Sequence, residues 1–420
     1  MTDFSSKTCC VCDGGLFAEL AETLSHSFGK VYYSAPWVTA FPSSYQVEIG
    51  EGFPNFERVQ DIWEIVDTVD LFVFPDMFDG PLQTYLIWNG RRVFGARYGD
   101  ELENFRSDAK KLFDELGIAQ GPYKVVKGIK QLREYIKSRG SDKLWVKINL
   151  TRKDTETFRS EGYALVKNRL DQLEAKLGPV AEYREFIVED DLPDTVDLCL
   201  DTFSIDGECP NVSILGHEEK DKCYVAAVKK WDELPAKMRD IYEKLSLTLK
   251  NYSYRGFLSL ECRCGQDNIW LTDPCCRGGS PTLELQLNMI ENLPEILWEG
   301  AEGKVVDPEF VSPYGFELVV NSDWADINPV KIEFPDEFRE QIKLRYAAQY
   351  PDGIWTMPQG LGPPTLVATV VATGENLQEC YSEAEEISEQ VKGIDLHACT
   401  DCIPEANKSI EKLAEWGIIL

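Results

Sequence analysis

The sequence predicts an α/β plus α+β protein: an N-terminal doubly wound α/β domain, then a two-part α+β region, then a small C-terminal domain. Three observations carry this. The 420 residues exceed the roughly 100 to 200 of one typical domain. Near the start, short apolar runs alternate with amphipathic stretches, the pattern of strands joined by crossover helices. Further along, apolar runs follow one another across short turns, as in hairpins.

Residues 9–13 read as a buried strand, Gly14 and Gly15 as a turn, 16–27 as an amphipathic helix and 30–34 as the next strand. Residues 71–75, 81–88 and 92–95 repeat strand, helix, strand, so a parallel sheet is the economical reading. The glycine pair is as much a simple tight turn as a phosphate cradle. A charged helix over 104–116 stops at Gly117, which places the first boundary near residue 118. Residues 123–128 form a strand, 129–139 a helix, and 144–148 a strand with Lys147 inside its apolar run. Desolvating that ammonium is costly without an anionic partner.

Residues 185–188 are a short strand running into Glu189, Asp190 and Asp191. Alternation over 196–205 puts Asp197 and Asp201, four apart, on one side of a strand. Residues 256–262 and 269–273, joined by a turn at 265–268, outline an antiparallel hairpin with an acid on each strand, Glu261 and Asp273. The last section holds a strand at 366–372 and helices over 376–391 and 404–416. The three segments are 1–118, 119–300 and 301–420.

Apolar residues at 43% and aromatics at 11% suffice for a core, so the acidity reads as solvated surface rather than disorder. The charge, 43 − 72 = −29, repels a phosphate backbone, and no general duplex nucleic-acid partner is expected. No apolar run reaches the roughly 18 to 20 residues that span a bilayer, and the N-terminus lacks a basic segment followed by an apolar one. A cytoplasmic protein with no membrane partner is therefore expected. Thirteen cysteines, an odd number, argue for reduced thiols. Cys9 with Cys12 and Cys399 with Cys402 have zinc-ligand spacing, but the first pair reads better as small hydrophobes in a buried strand.

Glu261 and Asp273, followed by Arg277, Gly278 and Gly279, are the strongest candidate site. Paired carboxylates suit magnesium carrying phosphate, and Arg277 could clamp a phosphoryl group or a tetrahedral oxyanion. The alternative is a hairpin with a surface salt bridge. The ordered set of a strand lysine, a Glu-Phe-Ile stretch and an acid-bearing hairpin resembles the ATP-grasp superfamily, in particular the branch of phosphoribosylamine-glycine ligase. The resemblance covers nearly the whole chain, including Gly95, Arg106, Lys110, the stretch 272–277 and the glycine-terminated run 367–374.

The resemblance implies ATP and Mg2+ as cofactors. It implies that Lys147 binds ATP phosphate, with Arg106 a second phosphate candidate. Backbone groups of Glu185, Phe186 and Ile187 would hold adenine at a strand edge, and one of Glu189, Asp190 or Asp191 the ribose. Glu261 and Asp273 would hold magnesium, and Arg277 would stabilise the acyl phosphate. Two departures stand out: the family's metal-ligand asparagine falls at Cys275, and the glycine-rich loop expected after Lys147 is replaced by a stretch carrying Arg152 and Lys153. These two are phosphate contacts or ordinary solvated charges.

Substrate candidates are Asp197 and Asp201, which could orient an amine, and Asp76, which follows a strand where an open α/β sheet presents its crevice. Lys220, Lys222, Lys229 and Lys230 are a further basic group, otherwise a solvated face. His26, His217 and His397 show no ligand spacing. The expected activity is an ADP-forming carboxylate-amine ligase with small-molecule carboxylate and amine partners. A relative joining an amino acid to a nucleotide or modified base, as a virus-encoded modification enzyme would, and a nucleotide-binding non-catalytic protein are the alternatives. Oligomeric state is not fixed by the sequence.

Overall fold

Strand β1 (Thr8–Cys12) sends Cys9 and Val11 to one face and Cys10 and Cys12 to the other, the period-two consequence of strand geometry. Helix α1 (Ala18–Ser25) covers the first face with Leu20, Ala21 and Leu24. Strands β2 (Lys30–Ser34), β3 (Glu57–Val59) and β4 (Leu71–Val73), helix α2 (Gly80–Trp88) and strand β5 (Arg92–Phe94) complete a five-stranded parallel sheet in the order β3-β2-β1-β4-β5. Leu86 of α2 packs on the second face with Cys10, Cys12 and Phe72. Both faces are covered, so the doubly wound opening is observed. The strand order reverses between β1 and β4, and Asp13 and Asp76 lie just past the C-terminal ends of those two strands.

The structure, a computed structural model, describes residues 3–35, 48–149, 157–358, 360 and 364–420. Arg152 and Lys153 lie outside the described residues. Two compact units are present, one of Met1–Asp100, Val196–Leu260 and Cys275–Leu420, the other of Glu101–Thr195 and Glu261–Pro274. They follow spatial contact, whereas segments 1–118, 119–300 and 301–420 follow chain order, and the one does not test the other.

The second unit begins with helices α3 (Glu101–Asn104) and α4 (Arg106–Glu115). Strand β6 (Tyr123–Lys127), helix α5 (Ile129–Ser138), strands β7 (Leu144–Ile148) and β8 (Thr157–Ser160), helix α6 (Tyr163–Leu177) and strand β9 (Glu185–Asp190) follow. Their sheet runs β6-β9-β7-β8 with antiparallel pairs. Ile129, Leu132 and Ile136 recur at helical spacing on α5 and pack with Val146, Phe186 and Val188 of the sheet. Burying such a side chain contributes about 2 kcal/mol.

Back in the first unit are strands β10 (Val196–Ile205), β11 (Val212–Glu219) and β12 (Cys223–Lys230) and helix α7 (Ala236–Asn251). Strand β13 (Arg255–Cys264) passes from the first unit into the second at residue 261, and β14 (Ile269–Cys275) returns at 275. Helices α8 (Leu283–Met289) and α9 (Leu293–Ala301) precede strands β15 (Tyr314–Asn321), β16 (Val330–Ile332), β17 (Ile342–Leu344), β18 (Ala347–Tyr350), β19 (Gly353–Thr356) and β20 (Leu366–Gly374). Helix α10 (Leu377–Ser388), strand β21 (His397–Ala398) and helix α11 (Ile403–Glu415) end the chain as described. In this unit the large sheet runs β13-β10-β11-β12-β15-β20-β17, and β16-β19-β18 form a small one.

Strands β11, β12 and β15 escaped sequence reading because their central residues are buried on both sides, which erases alternation. The basic group at 220–230 is corrected by the same hairpin. Val212 pairs with Lys230 and Glu219 with Cys223, so Lys220 and Lys222 sit at the turn while Lys229 and Lys230 sit at the far end. Lys222 is engaged by Asp401 and Glu405, each at 3.2 Å.

Candidate functional site

The second unit assembles a charged cluster around Lys147. Strand β7 places this lysine with a side chain only 7% exposed, and β9, its ladder partner, brings Glu189 to within 2.9 Å of the ammonium. Strand β14 brings Asp273 to 2.5 Å. Helix α4 then supplies Arg106, whose Nε lies 3.7 Å from Asp273, and Lys110, 2.5 Å from Glu189. Residues 106 and 110 are one helical turn apart and share a face.

Electrostatics holds Lys147, Asp273 and Glu189 charged. Burial works against the Lys147 charge, but Asp273 and Glu189 outweigh it and keep its pKa above the usual lysine range. Burial would raise Asp273, yet Lys147, Arg106 and Lys110 hold its carboxyl below the ordinary value, and Lys147 and Lys110 do the same for Glu189. Within these ion pairs three cations face two carboxylates, so an acidic chain carries a local positive surplus here. Such a surplus suits an anion with several oxygens, phosphate above all.

A second layer fixes the end of β7. Ser107 Oγ donates to Glu185 at 2.7 Å, Asn149 Nδ2 donates to Ser107 Oγ at 3.0 Å, and Arg106 donates to the Ile148 carbonyl at 3.2 Å. The adenine expectation is corrected by the sheet. Strand β9 is interior: Phe186 pairs with Val126 on one side and Ile148 on the other, and Ile187 with Val125 and Lys147. The Glu185 carbonyl accepts from Asn149 N at 3.0 Å. Glu185, Phe186 and Ile187 therefore offer no strand edge, because their backbone groups are committed to the ladders. Glu189 is an ion-pair partner of two lysines.

Glu261 and Asp273 lie on neighbouring strands, and Thr272 Oγ1 donates to the Glu261 carbonyl at 2.7 Å. Among the described residues no group of three or more His, Cys, Asp or Glu could hold a metal. Cys275 is a buried thiol. Two hard carboxylates without a third protein ligand fit a magnesium whose remaining positions are phosphate and water, and do not fit a closed protein site. Among the described residues the zinc spacing likewise brings no ligand cluster together; none of the thirteen cysteines is in a disulfide and eleven are buried.

The other candidates lie in the first unit. Arg277 Nη1 donates to the Gly278 carbonyl at 3.0 Å, and Gly278 N donates to the Pro75 carbonyl beyond β4 at 2.7 Å. Asp76 accepts from Met77 N at 2.9 Å in that crevice. Nearby, Asp13 is pushed up to about 6 by burial despite donors at Tyr33, Gly15 and Phe17, and Asp79 to about 6 by burial together with Asp76 and Asp100. Asp201 is corrected from an amine ligand to an internal acceptor. It is 3% exposed and takes hydrogen bonds from Tyr224 and, at 3.2 Å, from Thr282. The Asp197 carbonyl lies 2.8 Å from Nδ1 of buried His217, whose Nε2 lies 2.9 Å from Glu219, a structural use of that histidine.

A buried group missed by sequence reasoning sits in the same unit. Arg345 Nε donates to Glu284 at 2.8 Å and its Nη2 lies 3.5 Å from Glu317. Burial and Glu284 push Glu317 up to about 8 against the pull of Arg345, and burial draws Lys343 down. Lys343 and Glu317 are ionisable residues inside apolar strands, the signal that singled out Lys147.

Compared with solved structures, the chain has the ATP-grasp fold. It is similar to phosphoribosylamine-glycine ligase from Thermotoga maritima at 16% identity and a TM-score of 0.68, over 93% of this chain and 98% of that one. The biotin carboxylase domain of Hydrogenobacter thermophilus 2-oxoglutarate carboxylase, solved with MgADP and bicarbonate, matches at 12% identity and 0.65, over 98% of each chain. N5-carboxyaminoimidazole synthase from Aspergillus clavatus, solved with ADP and 5-aminoimidazole ribonucleotide, matches at 12% and 0.61, over 92% of this chain and 99% of that one. No protein-family model and no curated protein sequence matches the chain. Among the described residues no helix is long and apolar enough to cross a membrane.

Proposed function

We propose that this protein is an ATP-dependent carboxylate-amine ligase, phosphoribosylamine-glycine ligase-like, working through an acyl phosphate. The observation that carries the reading is the cation surplus of Lys147, Lys110 and Arg106 around Asp273 and Glu189. A chain of net charge −29 repels nucleotides in general, so a local inversion of sign on an ATP-grasp fold is where a polyanion would be received.

In this reaction a substrate carboxylate oxygen attacks the γ-phosphorus, and ADP leaves with the electron pair of the broken phosphorus-oxygen bond. An amine nitrogen then attacks the acyl carbon and loses a proton. Phosphate departs with the carbon-oxygen electron pair, leaving an amide. Lys147, Lys110 and Arg106 bind and orient phosphate, and Arg277 stabilises the oxyanion of the adduct. Asp197 is the acid proposed for the amine, and Asp76 a substrate contact at the crevice of the first sheet. Glu261 and Asp273 would hold magnesium, which when bound neutralises charge on the phosphates. Small-molecule carboxylates and amines are the proposed partners.

The test is ADP release from ATP on pooled carboxylates and amines, with Lys147→Ala and Arg277→Ala as controls. Turnover lost in both supports the assignment, and full activity in either one sinks it. The buried Cys275, where an oxygen ligand would suit magnesium better, favours one second reading, a nucleotide binder without turnover. ATP binding with no ADP release on any pool would establish that reading instead.

A further inference from the structure

We infer that the Lys147–Asp273 ion pair is a latch through which divalent metal and nucleotide help each other bind, an inference that rests on the nucleotide-binding reading above. An ammonium has three N–H donors. Those of Lys147 face Asp273 at 2.5 Å, Glu189 at 2.9 Å and the Thr272 carbonyl at 3.4 Å, and the side chain is 7% exposed. A phosphate oxygen therefore reaches Lys147 only by displacing a group already there.

Of the three, Asp273 is the one able to leave. The Thr272 carbonyl is backbone, and Glu189 is held from its other oxygen by Lys110 at 2.5 Å, closer than the 3.7 Å at which Arg106 meets the other oxygen of Asp273. Asp273 alone among them is also a proposed metal ligand. A divalent cation that takes this carboxylate releases Lys147 towards phosphate, and a phosphate that takes Lys147 releases Asp273 towards the cation. Whichever ligand binds first breaks the pair, so the second meets an open site, and the effect is reciprocal by linkage. Arg106, 3.7 Å from Asp273, stays as a further cation.

The experiment is calorimetric titration of ADP into the full chain, with chelator and with magnesium, for wild type, Asp273→Asn and Asp108→Asn. Asp108 is an exposed acid of α4 paired with Lys111 at 2.8 Å and controls for net charge. Magnesium should tighten ADP on the wild type by at least about fivefold, the low end of common couplings. Asp273→Asn should tighten metal-free ADP by a similar factor and erase the magnesium effect, while Asp108→Asn does neither. Lys147→Gln serves if Asp273→Asn folds poorly: it should strengthen Mn2+ binding without nucleotide, read by the loss of free Mn2+ paramagnetic resonance. ADP binding that Asp273→Asn leaves no tighter, or metal binding that Lys147→Gln leaves no tighter, overturns the latch and spares the nucleotide reading. No ADP binding to the wild type with or without magnesium overturns both.

Discussion

Lys147 and Asp273, 126 residues apart in sequence, meet as an ion pair with 2.5 Å between Nζ and Oδ2. The pair joins an interior strand of one sheet to a hairpin that reaches the same unit only after the chain has passed through the other unit. Its energetics lead to the first of four predictions.

Replacing Lys147 by Ala leaves Asp273 with only the more distant Arg106 and Glu189 with only Lys110 in a buried site, a loss of about 3 kcal/mol by analogy with broken buried pairs. Urea unfolding at pH 7 measures it. The pH dependence has a definite sign. Both carboxyls have folded pKa values below their ordinary 3.8 and 4.5, so their stabilisation is complete above those values and is lost as pH falls through the lower folded ones. The wild type should therefore lose stability on acidification below about pH 4, and Lys147→Ala should lose less there.

Glu317 gives the opposite slope. Its side chain is fully buried and its folded pKa is raised to about 8, so its contribution is present below the unfolded value and disappears as pH rises through 8. Glu317→Gln removes this dependence, because an amide is neutral in the folded and the unfolded chain at every pH. Denaturant unfolding from pH 5 to 9 should show the wild type falling relative to the variant up to about pH 8 and running parallel to it above that; curves parallel throughout would refute the assignment.

Tyr224→Phe removes the donor that Asp201 accepts inside the first unit. The expected cost is about 1 to 3 kcal/mol, that of a buried acceptor losing its partner. Metal-free ADP affinity should not change. A change in ligand affinity with unaltered stability would return Asp201 to the substrate candidates.

Eleven of the thirteen cysteines are buried, leaving Cys209 and Cys399 partly accessible. A thiol reagent on the native protein should label at most those two quickly, with the rest appearing on unfolding. Burial raises both thiols to about 11, so labelling should accelerate with pH towards that value. Metal analysis after dialysis should return no stoichiometric zinc.

Much of the fold was legible because local pattern and tertiary role agree. The opening βαβ unit shows this, since a strand buried on both faces and followed by a glycine turn and an amphipathic helix has few other uses. Strands β11, β12 and β15 lacked the alternation that advertises a strand. The site was half legible. Lys147 could be picked out by the desolvation its strand imposes, and Asp273 by its place on a hairpin. Lys110 carried no such mark, because a lysine on a charged helix looks solvated until the helix is docked. The adenine expectation failed on a property no single strand has: Glu185, Phe186 and Ile187 look the same at an edge and in an interior position.

The sequence by itself determined the alternating architecture, the reduced thiols, the acidity that disfavours polyanions, and the need of one buried lysine for an anion. Each follows from composition or from spacing along the chain. Only the tertiary structure decided which anions answer Lys147, that Asp201 is consumed by Tyr224 and Thr282, and that Glu317 must share Arg345 with Glu284. Those outcomes depend on distances between residues far apart in sequence, and Coulomb and hydrogen-bond energies are set by distance and burial, which linear spacing does not contain.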